Sequence, residues 1–322
     1  MHDPAPDVAI VGGGPIGLAI AFRAQQRGAS VLVLDSGEDG AHRHAAGMLA
    51  PVTEAHPGED PLLRMALDAH ARWPAFAEEL GIALRTNGTL AVARDADDAE
   101  ALDRLHAYRS SLGLASERLL PSKARRLEPA LAPTVRLALD VPTDWSVDPM
   151  ELVAALRSHV PVRRERVERL EDVRAGRVVL AAGVGSAALG GVPVRPVKGQ
   201  VIRLRGPRLV DRTIRTLDAY LVPRGDGRYV LGATMEERGD CTPTAGGVFE
   251  LIRDMSEVLP GILEFEIEAV TAGLRPATPD NLPIVEERAD GVIIATGHHR
   301  NGILMAPATA DVVAGMLAGV PA

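Results

Sequence analysis

Residues 7–35 read DVAIVGGGPIGLAIAFRAQQRGASVLVLD, and the architecture follows from this stretch. Val8–Val11 is a short apolar run typical of a buried strand, and it leads directly into a glycine turn at 12–17. From Ile16 to Arg27 the apolar residues recur at helical spacing, and the next residue is again a glycine. Val31–Leu34 is a second apolar run. The order strand, turn, helix, strand predicts the opening of a βαβ unit and therefore an α/β fold.

The glycine turn, Gly12-Gly13-Gly14-Pro15-Ile16-Gly17, matches the GxGxxG pattern that binds dinucleotides where a strand meets a helix. Gly12 allows the tight turn, Gly14 lets the backbone approach a pyrophosphate, and Gly17 lets helix and strand pack closely. Asp35, 23 positions after Gly12, ends the second strand, where a carboxylate can accept hydrogen bonds from ribose hydroxyls. A tight turn without a ligand is the alternative. Strand, helix and acid in register favour a bound dinucleotide, and the pattern by itself does not separate FAD from NAD.

Two further strand ends carry small residues, Leu180-Ala181-Ala182-Gly183 and Ile294-Ala295-Thr296-Gly297. Small side chains let a backbone approach a flat ligand, although each segment alone is more often explained by strand packing. Together with the first turn, they predict three strand ends that meet on one extended cofactor.

The composition excludes several functional classes. Hydrophobic residues make up 46% of the 322 residues and charged residues 24%, which is typical of a globular chain of two domains. A net charge of −8 argues against a nucleic-acid partner, and the arginine-rich run 162–169 also carries Glu165 and Glu168, as a solvated edge does. Cys241 is the single cysteine, so we expect no intramolecular disulfide and a reducing compartment. Without a recognisable signal peptide or long apolar segment, we expect a cytoplasmic location and no membrane contact.

Helix and strand patterns continue along the chain. Residues 61–139 read as a separate helical insertion, with amphipathic helices over 62–80 and 97–112. Asp148 before Pro149 predicts an N-cap followed by a helix. Further predicted elements are strands over 177–183, 199–204, 220–223, 228–232 and 291–295, and helices over 249–259 and 308–317. Turn signals between the strands from 199 to 232 favour an antiparallel sheet there.

Several segments are long and unusual enough to identify a family. They are Gly12–Gly17, Ala45–Leu49, Pro196–Gly199, Tyr220–Arg224, Val230–Met235, Ala272–Pro276 and Gly297–Leu304. Through these segments the chain resembles, over nearly its whole length, the glycine oxidase branch of the D-amino acid oxidase family of flavoproteins. The resemblance implies an α/β fold with an FAD-binding Rossmann-like domain (residues 1–58, 140–196 and 270–322). A second, α+β substrate domain built on an antiparallel sheet would comprise residues 59–139 and 197–269.

The resemblance also implies which residues bind FAD. They are Gly12, Gly14, Pro15, Ile16, Gly17, Asp35, Ser36, His42, Arg43, Ala46, Gly47, Met48, Val167, Ala182, Gly183, His298, His299, Arg300, Asn301, Gly302, Ile303 and Leu304. Two features depart from the family pattern: His42-Arg43-His44 stands where small or hydroxyl residues are usual, and Asp35 replaces the commoner Glu. The backbone N–H groups after Arg300 are expected to face the flavin and stabilise its anionic reduced form. His298 and His299 lack a surrounding ligand pattern, so we interpret them as cofactor-lining residues and expect no metal.

For the substrate, the resemblance implies Tyr220, Met235, Arg275 and Arg300, with Tyr220, Arg275 and Arg300 as the catalytic set. The chemistry agrees, because an arginine fork grips a carboxylate through two parallel hydrogen bonds and so aims the substrate Cα–H at the flavin. Tyr220 adds a hydroxyl donor. From its sequence neighbours alone, Arg275 is more readily interpreted as half of a surface ion pair.

The activity implied by the resemblance is oxidative deamination of glycine or another small amine. FAD would accept a hydride, oxygen would reoxidise it, and the products would be an imine and hydrogen peroxide, the imine supplying thiamine thiazole synthesis. The nearest alternatives are a D-amino acid or sarcosine oxidase and a dehydrogenase that passes electrons to a quinone. A non-catalytic flavoprotein and an NAD-linked dehydrogenase are more distant ones. The expected partners are a small amino acid and oxygen, and assembly into a homo-oligomer is left open.

Overall fold

The computed structural model describes residues 5–318 of the chain. Its strands are β1 Val8–Val11, β2 Val31–Asp35, β3 Met48–Leu49, β4 Thr89–Ala93, β5 Glu117–Leu119, β6 Leu137–Val141, β7 Trp145–Ser146, β8 Val162–Arg164, β9 Arg177–Leu180, β10 Arg195–Arg205, β11 Thr213–Arg215, β12 Tyr220–Pro223, β13 Arg228–Gly232, β14 Glu266–Ala277, β15 Ile284–Glu287 and β16 Ile293–Thr296. Its helices are α1 Pro15–Gln26, α2 Asp60–Leu80, α3 Ala96–Ser111, α4 Pro121–Leu127, α5 Pro149–His159, α6 Ser186–Gly190, α7 Ala245–Val258 and α8 Ala306–Met316.

The first sheet has six strands in the order β15-β16-β9-β1-β2-β8. Its neighbouring strands run parallel except for β15, which pairs antiparallel with β16. Every residue of β1 is buried, because a central parallel strand is covered on both faces. The predicted order strand, turn, helix, strand is confirmed. Since β1, β9 and β16 are neighbours, the three small-residue strand ends meet at one edge of the sheet, as predicted.

The second sheet has eight strands in the order β14-β10-β13-β12-β11-β4-β6-β5. It is antiparallel apart from the parallel pair β11 and β4, so the predicted antiparallel sheet is confirmed with one exception. β10 and β14 form its longest ladder, in which Val197 lies opposite Arg275. α7 packs against β10 and β13, and a second hydrophobic core lies between the helix and the sheet.

The segment 61–139 is not only helical, as the sequence suggested. It contributes β4, β5 and most of β6 to the second sheet. All five residues of β4 are buried. Because both faces of this strand are covered, its sequence TLAVA lacks the alternation that identifies a half-exposed strand.

The long helix α2 packs against α8 and α5, and its apolar residues belong to the same hydrophobic core as strand β1 of the first sheet. Its Trp73 and Phe76 are fully buried in the core that also contains Leu18 of α1. Trp73 Nε1 donates a hydrogen bond to the Leu304 carbonyl oxygen at 2.9 Å. The sequence division instead placed residues 59–139 in the substrate domain, and it cut β14 at residue 270, although β14 is one continuous strand of the second sheet. An apolar helix face shows that something covers the helix, but not which sheet does so.

Asp148 caps α5 as predicted, since its side chain accepts a hydrogen bond from the Met150 N–H at 2.8 Å. The cap fixes where α5 begins, and the helix carries Arg157 in its last turn toward the end of β2. Within residues 5–318, none of the helices has both the length and the apolar character needed to cross a membrane.

Candidate cofactor and substrate site

A cavity of about 1640 Å³ lies between the two sheets. It extends from the glycine turn and Asp35, at the carboxyl ends of the parallel strands, to Tyr220, Arg275 and Arg300. Carboxyl ends of parallel strands are where open α/β sheets bind their ligands. All the predicted site residues line this cavity except Gly17 and Leu304.

The three glycines of the turn have different roles. Gly12 has φ +121°, and a Cβ there would lie 2.3 Å from the Ala181 carbonyl oxygen, so only glycine fits. Gly17 lies behind the turn, where a Cβ would be 2.0 Å from the Gly12 carbonyl oxygen, which is the close helix–strand contact predicted for it. Gly14 differs, because a Cβ there would meet no protein atom within 4 Å and would face the cavity. Gly14 therefore leaves space for a ligand rather than for the protein's own packing.

Asp35 ends β2 and lines the cavity beside Ser36. Its carboxylate pairs with Arg157 of α5, whose Nη2 also donates to the Gly13 carbonyl oxygen at 3.3 Å. Sequence reasoning missed Arg157, since no motif connects a residue in α5 to the end of β2. The ion pair holds the carboxylate beside the glycine turn, where the ribose was predicted to bind.

The unusual segment His42-Arg43-His44 forms a 3-10 turn on the cavity wall. Burial, together with the charges of Arg43 and Arg157, lowers the pKa of His42 to about 4, so this ring is neutral near pH 7. Arg43 pairs with the exposed Asp39 at 2.9 Å. Burial also lowers the pKa of His44, so neither histidine adds a positive charge at the end of the cavity beside the glycine turn.

Ala46, Gly47 and Met48 form the middle of the cavity wall. The backbone of this segment is held by Arg224, a buried residue whose guanidinium donates to the Ala46 carbonyl oxygen at 2.9 Å and to the Val147 carbonyl oxygen at 3.3 Å. Arg224 lies in a segment that carried the family resemblance, but no role was predicted for it. Its position explains why an arginine follows β12.

Residues 298–304 turn sharply after β16. His299 adopts φ +48°, a left-handed conformation that is unusual for a residue other than glycine. The Asn301 N–H donates to the His298 carbonyl oxygen at 2.8 Å. This amide therefore closes the turn, whereas the sequence predicted that it would face the flavin. Leu304 is 2% exposed and belongs to the core, so it packs against other side chains instead of lining the cavity. The cavity is lined, at the end beside the glycine turn, by Val167, Ala182 and Gly183.

Arg275 is not part of a surface ion pair. Its Nη1 donates to the carbonyl oxygens of Thr234 at 3.1 Å and of Lys198 at 3.4 Å. A Cβ on Gly199 would lie 2.2 Å from its Nη2, so the glycine leaves the space that the guanidinium occupies. Among residues 5–318, no carboxylate pairs with this guanidinium.

Tyr220 lies close to the same end of the cavity, at the start of β12 and opposite Arg215 of β11. Burial raises the pKa of Tyr220, so its hydroxyl keeps its proton and can donate a hydrogen bond. Met235 also lines the cavity, with 59% of its surface exposed, which places it at the mouth.

Arg300 is paired in this structure with two carboxylates that sequence reasoning did not identify. Its Nε lies 2.7 Å from Glu54 Oε2, and its Nη2 lies 3.2 Å from Glu59 Oε2. Glu54 also pairs with Arg215. Burial alone would raise the pKa of Glu54, but Arg215 and Arg300 outweigh it and lower the pKa to about 2. Glu54 is therefore ionised, at the end of the cavity that Tyr220, Arg275 and Arg300 line.

We expect the buried histidines of the cavity to make the protein sensitive to acid. Burial lowers the pKa of His42, His298 and His299 to about 4, whereas an unfolded chain binds these protons near 6.5. The contribution of these neutral histidines to the free energy of unfolding is therefore fully present above pH 6.5 and is lost as the pH falls toward 4. For His298, which is 3% exposed, this shift in pKa corresponds to a loss of about 3 kcal/mol in the free energy of unfolding on acidification. Asp144 acts in the opposite direction, because burial raises its pKa to about 6.

The measurement is the thermal unfolding midpoint at about pH 7.5 and about pH 5 for the wild type and His298→Gln, whose amide does not titrate. Gln can still hydrogen-bond to Thr309 Oγ1, the partner of His298 Nε2 at 2.9 Å. The variant should lose less stability on acidification than the wild type. An equal loss in both proteins would show that His298 does not cause the sensitivity.

The chain belongs to the DAO family of FAD-dependent oxidoreductases, whose sequence model matches residues 7–316. The cofactor is accordingly FAD, and the cavity fits it, with a long path from the open side of Gly14 to the turn at 298–303. The chain is an FAD-dependent enzyme of the amino acid oxidase type, which confirms the family, the fold class and the cofactor that the sequence predicted.

Two relatives and one solved structure are similar over almost the full length. The glycine oxidase of Geobacillus kaustophilus is 33% identical, over 97% of this chain and 92% of that protein. A putative thiamine biosynthesis oxidoreductase of Rhizobium etli is 33% identical, over 95% of both chains. The crystal structure of glycine oxidase from Geobacillus kaustophilus has a TM-score of 0.90 and covers 97% of this chain and 94% of its own.

Proposed function

We propose that the protein oxidises glycine, or a comparably small amino acid, to the imine with release of hydrogen peroxide. Arg275 carries this proposal: its guanidinium lines the cavity, is held by two backbone carbonyls and has no carboxylate partner among residues 5–318. A cation prepared in this way matches the carboxylate of an amino acid. The similarity to proteins named glycine oxidase supports the choice of a small substrate.

Bound FAD would supply the acceptor for a hydride from the substrate Cα, and oxygen would take up the electrons. The chain's own residues would orient the substrate. Arg275 would hold the carboxylate, and the protonated Tyr220 hydroxyl would donate a further hydrogen bond to it. Two fixed donors restrict how the Cα can lie, and this positioning is where we place most of the catalytic effect.

No side-chain base is needed if the amine enters uncharged. The amine becomes the imine by losing a hydride from carbon and a proton from nitrogen, and the hydride and the proton together reduce oxygen to hydrogen peroxide. His298 is not suited to accept that proton, because its ring is buried and its Nε2 is engaged by Thr309. The pKa of about 4 for His298 also makes it a weak base.

The predicted catalytic role of Arg300 stays a prediction. Its guanidinium pairs with Glu54 and Glu59, so we propose that Arg300 shapes the wall of the cavity while Arg275 binds the carboxylate. We also propose that the imine supplies thiamine thiazole synthesis. The name of the Rhizobium etli relative supports this assignment.

We expect glycine and sarcosine to be oxidised faster than D-amino acids with long side chains. The similarity to proteins named glycine oxidase motivates this expectation, and we place the substrate at the end of the cavity that Tyr220, Arg275 and Glu54 line, which we call the substrate end. The measurement is peroxide release by the purified protein with glycine, sarcosine, D-alanine, D-proline and D-phenylalanine. A higher kcat/KM for D-phenylalanine than for glycine would contradict the proposal and move the assignment to D-amino acid oxidation. Turnover with a quinone but without peroxide would identify a dehydrogenase.

A further inference from the structure

Three arginines and two glutamates lie together at the substrate end of the cavity. Glu54 pairs with Arg215 and with Arg300 Nε, and Glu59 pairs with Arg300 Nη2. Arg275 has only carbonyl partners. The two carboxylates therefore neutralise two of the three guanidinium groups, and one positive charge is left for a ligand.

The members of this cluster are close enough to act on one another. Arg215 and Tyr220 lie opposite each other on β11 and β12. Both Arg275 and Glu54 contribute to the electrostatic environment of the Tyr220 hydroxyl. A substrate held by Arg275 and Tyr220 would therefore lie within the field of the Glu54 carboxylate.

Glu54 cannot move away easily, because the preceding residue is fixed on both sides. The Thr53 N–H donates to Asp144 Oδ2 at 3.1 Å, and the Thr53 carbonyl oxygen accepts from Arg109 Nη2 at 2.7 Å. Asp144 is fully buried and Arg109 is 2% exposed. Asp144 and Arg109 carry one charge of each sign, so together they leave the charge balance around the cavity unchanged.

We propose that Glu54 determines substrate specificity: together with Glu59 it neutralises Arg215 and Arg300, so that the cavity accepts amino acids with one carboxylate and rejects those with two. The inference rests on the proposed function for the class of substrate. A second carboxylate would have to give up its hydration near Glu54, where like charges repel and both neighbouring guanidinium groups are already paired. Replacing Glu54 by an uncharged residue of the same shape leaves Arg215 and Arg300 with excess positive charge.

The test compares sarcosine with iminodiacetate, two secondary amines that differ by one carboxylate on the nitrogen substituent. The wild type should prefer sarcosine. Glu54→Gln should raise the ratio of kcat/KM for iminodiacetate to that for sarcosine at least about tenfold, mainly through a lower KM for iminodiacetate, since a charge-assisted hydrogen bond has about this effect. Glu79→Gln is the matched control, because Glu79 also pairs with an arginine, Arg23, but lies outside the cavity. Its ratio should equal that of the wild type.

A second variant and a binding measurement keep the outcome decisive. Glu59→Gln should shift the ratio in the same direction as Glu54→Gln even if the latter fails to fold, because it also removes a partner of Arg300. Binding of acetate and malonate, followed by the change in flavin absorbance, measures the same selectivity without turnover. Absence of amine oxidation by the wild type would overturn the proposed function alone. An unchanged preference for acetate over malonate in the folded variants would overturn the role of Glu54.

Discussion

Gly14→Val should yield a folded protein that retains less than about a tenth of the wild-type FAD, because the new side chain would stand where the pyrophosphate has to pass. The structure separates the effect of the substitution on folding from its effect on FAD binding. A Cβ at Gly14 meets no protein atom within 4 Å, and φ −80° with ψ 176° is extended backbone that valine adopts readily. The same Cβ points into the cavity that reaches Asp35.

The measurement is the ratio of flavin to protein absorbance after purification and after incubation with excess FAD. Circular dichroism of the same samples reports whether the fold is kept. Gly12→Ala is the contrasting variant, because its Cβ would lie 2.3 Å from the Ala181 carbonyl oxygen, and it should lose stability as well as cofactor. If Gly14→Val retained FAD at the wild-type level, the glycine turn would not be the phosphate site.

Arg275→Lys should raise the KM for glycine roughly ten- to a hundredfold while FAD stays bound, which is the effect of losing one charge-assisted hydrogen bond. The Arg275 Nη1 donates to the Thr234 and Lys198 carbonyl oxygens and the residue lines the cavity, whereas an ammonium group lacks the planar fork of a guanidinium. The kcat should also fall, because a carboxylate held by a point charge lets the Cα shift away from the flavin.

Steady-state peroxide release with glycine measures both constants, and the flavin-to-protein ratio checks that the cofactor is retained. Tyr220→Phe is the milder comparison, because it removes one neutral donor and leaves the ring. KM and kcat within twofold of the wild type in Arg275→Lys would make Arg275 a scaffold residue. The carboxylate would then have to be assigned to Arg300.

The parts of the fold that follow from local patterns could be predicted. β1, α1 and β2 lie where apolar periodicity and the glycines placed them, and β12 and β13 match their predicted limits. Packing between distant segments could not be predicted in the same way. The apolar face of α2 is visible in the sequence, but its contact with Leu304 depends on a residue 231 positions away.

In the candidate site too, residues within motifs could be predicted, and contacts between distant segments could not. The glycine turn was identified by its residue types and spacing, whereas Arg275 was identified only through the family resemblance of its segment. The ion pairs around them join residues without any shared motif: Glu54 and Arg215 are 161 positions apart, and Asp35 and Arg157 are 122 apart. The sequence does not distinguish a charged residue on the surface from one in a cavity. Only the folded chain therefore shows which charges neutralise one another.

The strand order has a consequence for how the enzyme is made in the cell. β1 is synthesised first and pairs with β9. The other edge of β9 pairs with β16, which is synthesised much later and ends at Thr296, just before the cavity wall at 298–303. At about 5–20 residues per second, a ribosome needs on the order of 15 to 60 seconds between the end of β1 and the end of β16. Throughout that interval the glycine turn exists without the far side of its pocket. The flavin can therefore be enclosed only in the finished chain, and the nascent protein has to keep the apolar edge of β9 from aggregating until its partner strand emerges.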